Sequence, residues 1–429
     1  MAQSNAKSEV TLEIDSLSQG PHGIGRREGR VVMVPGTVPG DRISAQIVAS
    51  KSSYEIGRLT ALIKASPQRR EPRCPYVGVC GGCQWQQVNY IAQLAAKMRN
   101  LDDALRRIGK LRDFEIRPVA SAPREFGYRR RIQLRCDANK ELGFSPSASH
   151  DLAAIDACAV AAEPVNRVLR DLRRWIKGVS TNIAEVEIVA GDQAHESAVL
   201  LSTSDRFVAS DSAKIEELVS GERVTGIILK SPGGRQIWGN PRISVITEPG
   251  IELLVDADVF TQVSPEGNRA LVHHLLAAGQ WALEDRVLEL YCGAGNFTLS
   301  IARRSGEVVA VEGNRRAVES GKLNAHRHGI ENIRWRAESV LAAVAALARR
   351  KECFSKILLD PPRAGAKGID AELAAFGADQ ILYVSCNPPT LARDLSALSG
   401  RGYKLTGIQP IDLFPQTFHL ETLALLERH

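Results

Sequence analysis

The chain has 429 residues, too many for one ordinary hydrophobic core, so two or three domains are expected. Its 44% hydrophobic and 24% charged content is that of a water-soluble globular protein, and no apolar run nears the ~20 residues that span a bilayer, which excludes a membrane protein of the helical kind. The net charge of +6 is compatible with a nucleic-acid partner, and eight cysteines in a chain whose start, MAQSNAKSEV, lacks a signal-peptide core point to cytoplasmic metal or thiol chemistry rather than to a disulfide framework.

The first sixty residues alternate in short β-branched runs at 10–14, 30–34, 41–49 and 56–63. Between them lie Gly20-Pro21-His22-Gly23, Pro35-Gly36 and Pro39-Gly40, which read as turns. Strands this short close most easily as a five-stranded barrel of the OB type. Gly20 to Arg27, Val32 to Gly36 and Pro39-Gly40-Asp41 resemble the TRAM domain, and the resemblance implies an RNA-binding barrel. Arg26, Arg27, Arg30, Lys51 and Arg58 are its candidate phosphate contacts.

Cys74, Cys80 and Cys83 follow as C-x5-C-x2-C, with Gly78, Gly81 and Gly82 letting the backbone wrap tightly. A closed site needs a fourth thiolate, for which Cys136 and Cys158 are candidates. Zinc and an iron–sulfur cluster both fit four cysteines. Residues 90–109 have a helical repeat through Ile91, Leu94, Met98, Leu101, Leu105 and Ile108. Lys97, Arg99, Arg106, Arg107 and Lys110 are expected on the opposite, solvated face. Phe126-Gly127-Tyr128-Arg129-Arg130-Arg131, running into an alternating strand, is the best candidate RNA surface of the chain. Residues 142–255 carry no catalytic motif and read as an α/β substrate domain.

The last third is denser in chemistry. A buried strand at 286–291 enters Cys292-Gly293-Ala294-Gly295-Asn296-Phe297 and a helix through Arg303, and the next strand ends at Glu312. A Gly-rich turn from strand to helix, with an acid about 20 residues on, holds a ribose. A nicotinamide enzyme shares that pattern. The missing third glycine, and Glu289 placed to face a cationic methionine end, favour S-adenosylmethionine. Gln262 lies in an apolar run at the domain boundary. Asp360-Pro361-Pro362-Arg363 ends an apolar strand as a rigid loop. The strand at 381–384 runs into Ser385-Cys386-Asn387-Pro388-Pro389, which holds a thiol at the ligand-binding edge of the sheet. Asp412 to Thr422 closes the set.

The motifs FTQV, YCGAGNF, DPPR, SCNPPT and DLFPQTFHLE together resemble the RNA uracil-C5 methyltransferase family, most of all the 23S ribosomal branch, and they span the chain. The resemblance implies a Rossmann-like α/β methyltransferase domain at 258–429. It implies a TRAM barrel at 1–65 and a central α/β iron–sulfur domain at 66–257, with 88–120 packed on the catalytic domain. It implies a [4Fe–4S] cluster on Cys74, Cys80, Cys83 and Cys158, leaving Cys136 in the core. Cys386 becomes the nucleophile and Glu421 the base, while Gln262, Tyr291, Asn296, Glu312 and Asp360 hold the cofactor. Ser339 or Glu338 stands where the family has an adenine-side Asp, and Arg363 orients the base or activates the thiol. Thiolate addition at C6 of uracil makes an enolate whose C5 attacks a sulfonium methyl; loss of the C5 proton then expels the thiol. The expected protein is a cytoplasmic monomer acting on rRNA. A tRNA T-loop target is the alternative, and Phe144 to His150, without Arg or Lys, leaves the target open. A cluster-bearing NAD-dependent oxidoreductase and a non-catalytic RNA-binding protein are the rivals of other classes.

Overall fold

In a computed structural model, which describes residues 9–145 and 152–429, the N-terminal strands close into a barrel. Around it run Glu9–Leu17, His22–Arg27, Arg30–Pro35, Tyr54–Lys64 and Arg42–Ser50. Inward residues alternate along each strand, and Leu12, Ile14, Val32, Val34, Ile43 and Ala45 fill the interior. The stretch from His22, read as a turn from its glycines, is the fifth strand. A Cβ on Gly25 would stand 2.6 Å from the Glu13 carbonyl, so the glycine serves close strand approach and not a bend.

The chain divides into two compact units. The first holds the barrel, the cysteine loop, most of the helix Tyr90–Asp103 and residues 414–419. In it Trp85 is fully buried and donates its indole N–H to the Gly20 carbonyl at 3.1 Å. The helix faces the core with Ala92, Gln93, Ala96, Lys97 and Leu101, while Ile91 is 82% exposed. The expected apolar stripe is therefore rotated. Lys97, expected in solvent, is buried with its ammonium on the Phe414 carbonyl at 3.1 Å. The small side chains at 92 and 96 permit closer packing than the larger apolar residues beside them.

The second unit contains two large sheets. The eight-stranded one runs Ile333–Ala337, Glu307–Glu312, Arg286–Leu290, Lys356–Leu359, Gln380–Ser385, Glu421–Arg428, Tyr403–Ile411 and Glu115–Ile116. Its first five strands are mutually parallel, and Glu421–Arg428 lies antiparallel to both neighbours. Strand order reverses beside Arg286–Leu290, the crevice where doubly wound sheets take ligands. The other sheet is built around Arg131–Cys136, Glu185–Ala190, Ser197–Ser202 and Gly226–Ser231. One core joins this sheet to the hairpin Arg242–Glu248/Ile251–Asp256 and to Ala294, Leu299 and Ala317 of the Rossmann-like layer. Among the described residues, no helix is long and apolar enough to cross a membrane. Residues 146–150 of the segment lacking Arg and Lys lie outside the described residues.

Candidate active site

The sheet register assembles the site. Leu290 pairs with Val311 and with Leu359, so Tyr291, Glu312 and Asp360 each leave their strand one residue beyond the same row. On the antiparallel side Ser385 pairs with Thr422. Cys386 and Glu421 are thus the next residues past the last rung, facing each other across one ladder step. Residues separated by more than a hundred positions reach one edge because the parallel strands all end there.

The Gly-turn carries local strain. Tyr291 has φ +64°, unusual for a residue with a Cβ, and Gly293 and Gly295 follow at +56° and +96°. A Cβ on Gly293 would meet nothing within 4 Å, so its backbone borders open space. That space is a cleft open to solvent, lined by Phe260, Thr261, Gln262, Tyr291, Gly293, Asn296 and Asp360, with Val245, Leu253 and Val255 as apolar lining. Glu312 accepts the Gly293 N–H at 3.1 Å and the Asn314 N–H at 2.7 Å, which fixes the carboxylate beside the turn. Asn296 and Asn268 exchange reciprocal amide hydrogen bonds of 2.8 and 2.9 Å.

The electrostatics are acidic. Glu289 is buried beside the Thr298 hydroxyl, which favours its charged form, and no hydrogen bond of good geometry reaches either carboxylate oxygen among the described residues. Burial, reinforced by Asp360 and Glu312, pushes its carboxyl up to about 8. Burial raises Asp360 to about 7, and burial with the Asp360 charge raises Glu421 well above the ordinary range. The Cys386 thiol is pushed up to about 11 by burial and by Glu421 and Asp360, against the opposing charge of Arg363. The free site therefore holds excess protons and a neutral thiol, and it is suited to a cationic ligand.

Residues 3–60 match the model of the TRAM domain, and residues 250–429 match that of the tRNA (uracil-5-)-methyltransferase family. The chain is 35% identical to the 23S rRNA (uracil(1939)-C(5))-methyltransferase RlmD of Pseudomonas entomophila, over 97% of this chain and 93% of the relative. The chain belongs to the RNA uracil-C5 methyltransferase family. RlmD of Hahella chejuensis is 33% identical over 98% of both chains. The solved tRNA (uracil-54, C5)-methyltransferase of Pyrococcus abyssi, in complex with S-adenosyl-L-homocysteine, covers 97% of this methyltransferase with a TM-score of 0.76 at 23% identity, which establishes the shared fold.

S-adenosylmethionine fits the residues that this uracil-C5 methyltransferase presents. The cavity has an open glycine cradle, and the buried Thr261 hydroxyl and both Glu289 oxygens lack hydrogen bonds of good geometry among the described residues. The sequence-derived residues Gln262, Tyr291, Asn296 and Asp360 line one cavity, with Glu312 bonded to its turn. Ser339 caps the helix Val340–Arg349 through the Ala342 N–H, and Glu338 pairs with Arg336 at 2.7 Å.

The arginine run at 129–131 is a correction. Arg130 is buried against the Asp192 carboxylate, and Arg131 is mostly buried. Arg131 pairs with Glu187 at 2.9 Å and donates to the Ala257 and Val259 carbonyls at 2.9 and 2.8 Å. The Arg131 side chain and the Arg130 backbone N–H, which donates to the Val263 carbonyl, brace the strap that carries Gln262, and neither side chain presents an RNA surface. The strap's Asp258, itself buried, adds ion pairs with Lys230, Arg235 and Arg316. Sequence reading missed Asn268, and it gave Phe260 only as the first residue of FTQV, without a role; that ring is 68% exposed on the cavity rim.

Cys74, Cys80 and Cys83 lie in a loop stitched by glutamines. Gln86 accepts the Cys74 N–H at 3.1 Å, and Gln84 donates to the Gly81 carbonyl at 2.6 Å. The Cys80 sulfur accepts the Gly82 N–H at 3.4 Å, as sulfurs of metal-bound thiolates do. All eight cysteines stand outside disulfides, and among the described residues no three His, Cys, Asp or Glu side chains form a metal-holding group. Burial and Asp137 push Cys136, at a strand end, up to about 11.

Proposed function

We propose that this protein methylates C5 of a 23S rRNA uridine, the one equivalent to position 1939 named for its relatives, through Cys386 and Glu421. The observation that carries the reading is the ladder end. A thiol and a carboxyl face each other one step beyond the Ser385–Thr422 pair, beside a cofactor cavity at the sheet's reversal point. Bound, S-adenosylmethionine supplies an electrophilic methyl group.

Gln262, Tyr291, Asn296, Glu312 and Asp360 hold the cofactor, with the Glu289 carboxylate behind the turn meeting its positive charge. The Cys386 sulfur adds to C6 of the flipped uracil and makes C5 nucleophilic. Arg363, whose charge already opposes the proton on Cys386, favours the thiolate. Once C5 carries the methyl group, the Glu421 carboxylate takes the C5 proton and Cys386 leaves. The burial that raises Glu421 makes it a stronger base than a surface carboxylate.

A [4Fe–4S] cluster on Cys74, Cys80, Cys83 and Cys158 is part of the same proposal, supported by the C-x5-C-x2-C spacing and the Cys80 hydrogen bond. It plays no part in methyl transfer. The exposed Arg26, Arg27, Arg30, Lys51 and Arg58 of the barrel supply phosphate contacts. The proposal keeps three domains at 1–65, 66–257 and 258–429 in a cytoplasmic monomer. Full-length protein incubated with unmodified 23S rRNA transcript and cofactor is expected to form 5-methyluridine, and Cys386→Ala is expected to form none. Methylation by the alanine variant refutes the nucleophile; product confined to tRNA transcripts moves the target to the T-loop.

A further inference from the structure

Asn387 follows the thiol and starts the helix Pro388–Ser399. Asparagine at such a position ordinarily accepts a backbone N–H of the first turn. Here it makes no cap, and its side-chain amide instead donates to the Arg363 carbonyl at 3.0 Å. The Thr390 hydroxyl lies 3.2 Å from the same carbonyl and 3.1 Å from the Asn387 carbonyl, so its one proton bridges the loop and the helix start. One turn on, Arg393 donates to the Ala364 carbonyl at 2.8 Å, and the Asp394 carboxylate accepts the Ala366 N–H at 2.8 Å. The buried Tyr383 hydroxyl donates to the same carboxylate oxygen at 2.7 Å. A Cβ on Gly365, at φ +78°, would stand 2.3 Å from that oxygen, so the loop sits too close for any side chain there.

Three residues of the loop, Arg363, Ala364 and Ala366, are thus fastened to the start and first two turns of the helix that begins two residues after the nucleophile. We infer that Asn387, Thr390 and Asp394 are positioning residues that hold Arg363 in register with Cys386, so that the guanidinium offsets the carboxylates of Glu421 and Asp360 at the sulfur. The inference rests on the nucleophile proposed above. It explains why the motif continues past the cysteine as Asn-Pro-Pro-Thr: the two prolines start the helix, and the two polar side chains reach back to the loop.

The charged groups acting on the sulfur are Glu421 on the antiparallel strand and Asp360 and Arg363 on the loop. Loosening the loop removes the opposing charge of Arg363 and leaves both acids. Thr390→Val in the full chain is the test, with Thr390→Ser as the conservative control. The measurements are kcat and KM against pH on 23S rRNA transcript, and iodoacetamide labelling of Cys386 followed by peptide mass spectrometry. For Thr390→Val the rising limb of the rate profile and the labelling curve are expected to move up by about half a pH unit. kcat at neutral pH falls about threefold, KM for the cofactor stays within about twofold, and Thr390→Ser restores the wild-type profile. In an Arg363→Ala background the valine substitution adds no further shift. A lower rate without movement of either curve, or a full additional shift on Arg363→Ala, overturns the positioning role alone. Methyl transfer by Cys386→Ala overturns the nucleophile and this inference with it.

Discussion

Glu289→Gln separates stability from cofactor binding. In the folded free protein the Glu289 carboxyl titrates near 8, against an ordinary value of 4.5. Between those values the folded chain keeps a proton that the unfolded chain releases, so stability is fully present below pH 4.5 and falls as pH rises towards 8. At about 1.4 kcal/mol per pH unit the loss reaches roughly 5 kcal/mol at pH 8, an upper figure because Asp360 and Glu312 share the same field. Glutamine has no such titration. Its buried amide carries a constant cost at every pH, so the diagnostic quantity is the change in the wild-type-to-variant difference. Thermal unfolding without cofactor at pH 5 and pH 8 is expected to shift that difference by roughly 4 °C in favour of the variant, at about 1 °C per kcal/mol for a chain of this length. Titration calorimetry at pH 8 is expected to show the reverse for binding. Loss of a charge-assisted hydrogen bond of about 1.5–3 kcal/mol weakens S-adenosylmethionine at least tenfold. An unfolding difference that is the same at both pH values, or an unchanged affinity, refutes the reasoning.

Glu421→Gln is expected to accumulate a covalent RNA–protein adduct with cofactor and transcript, read as a shifted band on a denaturing gel, because the adduct forms and cannot eliminate. Arg130→Met leaves the buried Asp192 with only the longer pairing to Arg269 at 3.8 Å and is expected to destabilise the protein by about 2–3 kcal/mol in thermal unfolding. Arg131→Gln loosens the Gln262 strap and is expected to raise KM for the cofactor several-fold with a smaller change in kcat. Cys158→Ser, purified without oxygen, is expected to lose bound iron measured per chain.

The positions expected to hold the cofactor were named from their motifs, and the structure gathers Gln262, Tyr291, Asn296 and Asp360 around one cavity. Parallel strands that bring Leu290, Val311 and Leu359 to one row put the next side chains, Tyr291, Glu312 and Asp360, at one edge whatever the intervening sequence does. Cys386 and Glu421 were legible by motif alone, since their pairing depends on a strand reversal that periodicity does not reveal. Charge ran the other way. Lys97 read as solvated, and Arg130 and Arg131 as an RNA surface, because burying a cation is costly. Their partners Asp192, Glu187 and the Phe414 carbonyl are 62, 56 and 317 positions distant, beyond any local pattern. The strand from His22 was missed because glycine marks both turns and close strand contacts. Asn387 was hidden by its own propensity: a residue that usually caps a helix here serves another loop.

The one-rung spacing between Cys386 and Glu421 has a consequence for engineering. It is set by the antiparallel pairing of Gln380–Ser385 with Glu421–Arg428, and the chain between them makes no contribution to it. The exposed turn at 400–402, after the helix Pro388–Ser399, is therefore a suitable place to insert a fluorescent reporter or a second RNA-guiding module. Lengthening the polypeptide there leaves the distance between the two reacting groups unchanged, provided that both flanking strands keep their register.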